Sequence, residues 1–181
     1  MMNPHGYTLQ DGNREGGGVL VHVRIASLAL DPRSNQPVLL LRAVDDEDGA
    51  GRLLPIWIGH PEATAILLAI EGVEMPRPMT HDLLGNVISA LDAVVERVEI
   101  TRVEEGTFYA AIIIRGEEKT LAIDARPSDS IALAMRAGAP VFVAEEVLNT
   151  AGIMDETFDE EEEVEEFRQF LEGVDPEDFQ G

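Results

Sequence analysis

Acidic, basic and imidazole side chains collect where apolar strands run into helices. His60 and Glu62 follow the strand ending at Ile58; Arg77, His81 and Asp82 precede an apolar helix; Asp124, Arg126, Ser128 and Asp129 follow the strand ending at Ile123. Asp124, Asp129, Asp82 and Glu62 are oxygen donors of the kind preferred by a hard divalent cation such as Mg2+ or Mn2+. A cation held between them would polarise a phosphate and lower the pKa of a water. His81 would then be the general base, with Arg126 or Arg77 facing the charge on a pentavalent phosphorus. The same residues have structural readings. Asp124 and Arg126 stand two apart on a strand and could form an ion pair on one face. Ser128 and Thr80 are suited to cap helices, and Asp129 suits the positive end of a helix dipole.

These groups need a scaffold of strands feeding helices. Val19 to Leu30, Val38 to Val44 and Leu53 to Ile58 read as a three-strand meander with short turns. A helix follows from about Glu62 to Glu71, with Gly72 placed to end it. After the two prolines of Met75 to Asp82, Leu83, Leu84, Val87, Ile88 and Leu91 fall on one face of a second helix. Val94 to Arg102, Phe108 to Ile114 and Thr120 to Asp124 form a second set of strands. That set runs into a helix carrying Ile131, Ala134 and Met135, then a short strand near Ala139 to Val143 and a short helix from Glu145. An offset of 66 positions places Pro61 on Pro127 and Gly72 on Gly138, which predicts an internal duplication over residues 19–93 and 94–152. The expected fold is α+β, a duplicated unit of three strands and two helices with a mixed sheet packed with helices.

The 181 residues carry 35 acids against 13 bases, a net charge of −22. Residues 155–181 hold 13 of the acids and one base, Arg168, so residues 1–154 are still at −10. With a single lysine, Lys119, the chain lacks the basic surface that drives sequence-independent nucleic-acid binding. Any such contact needs a local arginine cluster or a bound cation. Cysteine is absent, which excludes disulfides, thiolate metal sites and a cysteine nucleophile. No apolar run reaches membrane-span length, and residues 1–18 lack a signal-peptide core, so a cytoplasmic location is expected. Residues 1–18 read as a flexible leader. Residues 153–181 read as an acidic tail, with a helix expected over about 161–172 from Val164, Phe167, Leu171 and Val174.

No phosphate-binding glycine loop, paired-histidine zinc helix, serine elbow or dinucleotide fingerprint is present. Instead, Leu54-Pro55-Ile56-Trp57-Ile58-Gly59 with Glu62-Ala63, Arg77-Pro78-Met79-Thr80-His81-Asp82-Leu83-Leu84, Gly106-Thr107-Phe108-Tyr109-Ala110 and Asp124-Ala125-Arg126-Pro127-Ser128-Asp129 together resemble the bifunctional nuclease family over residues 19–152. The resemblance implies an α+β fold with a duplication, DNase and RNase activity, a divalent cation and a homo-oligomer, for which a dimer is the first expectation. The motif positions it carries over are Glu62, Arg77, His81, Asp82, Asp124, Arg126, Ser128 and Asp129. The acidic C-terminal segment does not match the helical module found in some members. A metal-dependent nuclease of low sequence specificity is therefore expected, against a non-catalytic oligomeric binding or regulatory protein whose junctions are structural.

Overall fold

The computed structural model describes residues 10–11, 18–45 and 52–154. The strands are β1 (Gln10–Asp11), β2 (Leu20–Leu30), β3 (Pro37–Ala43), β4 (Arg52–Trp57), β5 (Val94–Glu104), β6 (Thr107–Arg115), β7 (Thr120–Ala125), β8 (Val141–Ala144) and β9 (Ile153–Met154). The helices are α1 (His60–Ile70), α2 (Thr80–Ala90), α3 (Pro127–Ala137) and α4 (Glu145–Ala151). One sheet holds the strands in the order β1-β7-β6-β5-β8-β2-β3-β4-β9. All neighbours are antiparallel except β5 and β8, so the sheet is mixed. No helix among the described residues is long and apolar enough to cross a membrane.

Two antiparallel meanders, β2-β3-β4 and β5-β6-β7, each lead into a helix with proline in its first turn. Proline is tolerated there because its missing N–H would have no intrahelical partner, and its fixed φ already suits a helix. β8 lies between α3 and α4 in the chain and joins the two meanders by pairing with both β5 and β2.

All four helices contribute to apolar clusters on one face of the sheet. Ile66, Ile131 and Val147 meet Leu39, Leu41, Leu54 and Ile100 in one cluster, while Ile88 and Leu133 meet Val98 and Ile112 in another. The other face carries Val38, Leu40 and Leu53 in one patch and Ala111, Ile113 and Ala122 in a second. Each fully buried leucine or isoleucine contributes about 1.5–3 kcal/mol of transfer free energy, and this burial fixes the helices to the sheet.

Several expectations are corrected. Thr80 and Ser128 do not cap their helices: both lie inside them, and the capping positions are Met79 and Arg126, in extended backbone. At α2, Asp82 reaches back to accept the Met79 N–H at 2.8 Å. At α3, the Ser130 hydroxyl donates to the Arg126 carbonyl at 2.9 Å. The apolar face of α2 buries Ile88 but leaves Leu83, Leu84, Val87 and Leu91 exposed. Ile153 and Met154, read as the start of the tail, pair with β4 as β9. Gln10 and Asp11, within the expected leader, pair with β7. The rest of that leader apart from Gly18, the turn over 46–51 and the helix expected over 161–172 lie outside the described residues. Gly138, at φ +64°, ends α3 in the left-handed conformation that a side chain disfavours.

Candidate active site at the helix N-termini

Arg126 leaves β7 just before α3 begins, and its guanidinium joins two helices. Its Nε donates to Asp129 Oδ2 at 2.7 Å and its Nη2 to Asp129 Oδ1 at 3.1 Å, a two-pronged contact with the first turn of α3. Its Nη1 lies 2.9 Å from Glu62 Oε1 in the first turn of α1. The Arg126 side chain is still 64% exposed, so one face of this cation remains open to solvent.

Asp129 also meets α2, because His81 Nε2 lies 3.4 Å from its Oδ1. The His81 side chain is only 12% exposed, so the imidazole is held between the two helices. Burial pushes the Asp129 carboxyl up, but the hydrogen bonds and charge of Arg126, helped by His81, outweigh it. The carboxyl is held below its ordinary value and is ionised at neutral pH. Arg126 is in turn raised, first by its hydrogen bond to Asp129.

One residue further along α2, Asp82 accepts from Arg136 Nε at 2.5 Å as well as from Met79. Burial pushes the Asp82 carboxyl up, and the Met79 N–H and Arg136 guanidinium together bring it below the ordinary value. Arg136, absent from the sequence-based set, also donates Nη1 to the Ala132 carbonyl at 2.9 Å. Its position seven residues after Asp129, two turns along the same helix face, is the signal that could have flagged it. His81, Asp82, Asn86, Ser89 and Arg136, together with apolar residues such as Ile88 and Leu133, line a mixed recess of about 320 Å³. A larger cavity of about 750 Å³ lies between β2, α1 and α3, but its walls are mostly apolar and include none of these groups.

The structure therefore gathers Glu62, Arg126, Asp129, His81, Asp82 and Arg136. It does not gather Asp124 or Arg77. Asp124 pairs across the ladder with Ala111 and stands two residues from Ala122, so it faces the side of the sheet away from the helices. The expected Asp124–Arg126 ion pair does not form: the chain turns into α3 at Arg126 and delivers its guanidinium to Asp129 and Glu62. Arg77 is exposed in the connection between α1 and α2 and takes part in no ion pair among the described residues.

The proposed cation ligands do not fit a metal. Asp124 is on the wrong face, Asp82 is occupied by Arg136, and Asp129 and Glu62 share Arg126. Among the described residues no group of three or more histidine, aspartate or glutamate side chains is arranged to hold an ion.

A sheet covered on one face by four helices, with an Arg–Asp–His cluster where helix N-termini converge, defines an α+β protein with acid–base groups gathered at its helix N-termini. The bifunctional nuclease domain model matches residues 39–156, and the chain belongs to that family. An uncharacterized protein of Mycobacterium tuberculosis (strain H37Rv) is 46% identical over 165 residues, covering 87% of this chain and 96% of its own length. Bifunctional nuclease 1 of Oryza sativa subsp. japonica is 28% identical over 110 residues, covering 59% of this chain and 33% of its own. Bifunctional nuclease 2 of Arabidopsis thaliana is 30% identical over 100 residues, covering 54% of this chain and 30% of its own. The match thus spans about a third of each named plant nuclease.

Proposed function

We propose that this chain hydrolyses phosphodiester bonds of DNA and RNA with low sequence specificity, using His81 for proton transfer and Arg126 to meet the phosphate. The observation that carries the reading is the part-buried contact of His81 with Asp129, beside a recess that His81 and Asp82 help to line and a guanidinium that is still largely exposed. In the tautomer that donates Nε2–H to Asp129, Nδ1 is left as an acceptor. It can take a proton from a water attacking phosphorus, while the Arg126 guanidinium faces the charge that builds on the phosphoryl oxygens. The protonated imidazole then has the Asp129 carboxylate beside it and can return the proton to the departing oxygen. The family assignment, with plant relatives named as nucleases, supports this reaction class.

One observation favours a second reading. The cluster sets three carboxylates, Glu62, Asp82 and Asp129, against two guanidiniums, so with His81 neutral it is itself anionic, on a body that is already acidic. Such a cluster does not attract a polyanion. It suits a non-catalytic binding or regulatory protein in which the ion pairs lock three helices together. Wild type, His81→Ala and Arg126→Ala prepared by one protocol and assayed on the same DNA and RNA separate the two readings. Loss of cleavage in both variants supports hydrolysis, and equal residual cleavage in all three supports the second reading.

A further inference from the structure

The mixed recess beside His81 has features that proton transfer does not use. His81, Gly85 and Ser89 recur every fourth position along α2, with Asp82 and Asn86 next to them, so one side of that helix forms a wall of the recess. Gly85 stands in the middle of α2, where glycine lowers helix stability relative to alanine. Packing does not demand a glycine there: a Cβ would meet only Leu133 Cδ1, at 3.8 Å, an ordinary contact. Its missing side chain instead leaves space in the recess next to Leu133.

The chemistry of the walls suits an uncharged ring. The Asp82 carboxylate and the Arg136 guanidinium neutralise one another, so a phosphate gains no net attraction inside. Ile88 and Leu133 are buried and supply apolar surface. Arg136, fixed by Asp82 and by the Ala132 carbonyl, is a planar cation of the kind on which unpaired bases stack. The Asn86 and Ser89 side chains make no hydrogen bond among the described residues, and an amide offers a donor and an acceptor that match the edge of a base. A volume of about 320 Å³ is at the small end of the roughly 300–1,000 Å³ spanned by ligand sites, room for one ring system. Building on the hydrolytic reading above, we infer that this recess is a base subsite: it takes one unpaired nucleobase of a single-stranded nucleic acid, addressed by Asn86, and so presents the adjoining phosphodiester to His81 and Arg126. A base within a duplex reaches it only after unstacking, so single strands are the favoured substrate.

Binding is read separately from cleavage, by amide-resolved NMR titration of the full chain with the mononucleotides of adenine and cytosine, and with ribose phosphate, which lacks a base. The mononucleotides are expected to move the amide resonances of Gly85, Asn86 and Ser89, and ribose phosphate to leave them in place. Asn86→Leu, at an exposed position, and Gly85→Ala, whose methyl group fits but narrows the recess, are each expected to weaken that binding about fivefold or more. Wild type is expected to cut a single strand about tenfold or more faster than the same sequence in a duplex, with KM raised in both variants. Resonances that do not move, or that ribose phosphate moves equally, would overturn the subsite whether or not wild type cleaves. So would variants that bind as wild type does. Mononucleotide binding that depends on Asn86, in a protein without cleavage of its own, would sink hydrolysis and leave the recess as a nucleobase site.

Discussion

His81 on α2 and Asp129 on α3, 48 positions apart in the chain, meet at 3.4 Å with the imidazole almost entirely enclosed. The same carboxylate takes both prongs of Arg126. Asp129 therefore holds the imidazole and the guanidinium together. Asp129→Asn keeps the shape but removes the charge that holds both, and cleavage is expected to fall about tenfold or more through lost orientation. Initial rates on one single-stranded and one duplex substrate check it, with Asp124→Ala as a control expected to stay within about twofold of wild type because that side chain faces the other side of the sheet.

The start of α2 rests on Asp82. Removing its carboxylate orphans the Met79 N–H and releases Arg136, so Asp82→Ala is expected to lower stability by about 1–2 kcal/mol. Thr80→Ala, at an exposed position inside the helix, should stay within about 0.5 kcal/mol. Urea midpoints of the two variants, compared at equal m-value, decide it.

Acid should loosen the junction. Asp82 and Asp129 both sit below their ordinary value of 3.8 in the fold, so the native state binds fewer protons than the unfolded chain. Their stabilisation is complete well above that value and is lost as pH falls below it through the lower folded values. The unfolding midpoint of wild type should fall between about pH 5 and pH 2, and Asp82→Asn should flatten that limb. A parallel decline in both proteins would contradict the assignment.

Divalent cations give a fourth check. Since Glu62 and Asp129 are engaged by Arg126, any change of melting temperature with millimolar Mg2+ or Mn2+ should be the same in wild type, Glu62→Gln and Asp129→Asn. A shift present in wild type and missing from these variants would establish a metal site on those carboxylates.

Much of the scaffold was legible because short apolar runs, alternating in some strands and continuous in others, and junction prolines carry local information. The strands of both meanders, α1 and α3 follow from those patterns. The caps were misplaced by one residue at Thr80 and two at Ser128, because Met79 and Arg126 occupy the extended capping positions without the usual polar side chain. Sharing a strand face predicts an Asp124–Arg126 pair only while the strand continues, and at Arg126 it has ended. The periodicity of Leu83, Leu84, Val87, Ile88 and Leu91 specifies a helix but not which part of its apolar side meets the sheet. Asp82–Arg136, joining positions 54 apart, and the two-residue strand β9 have no local signature.

The central claim is that His81 and Arg126 act on a phosphodiester, and cleavage by identically purified wild type, His81→Ala and Arg126→Ala tests it most directly. The rate is expected to fall by about a hundredfold or more in His81→Ala and by a comparable factor in Arg126→Ala, with each variant folded. Indistinguishable rates in all three preparations would contradict the account and leave the cluster as a structural lock between helices.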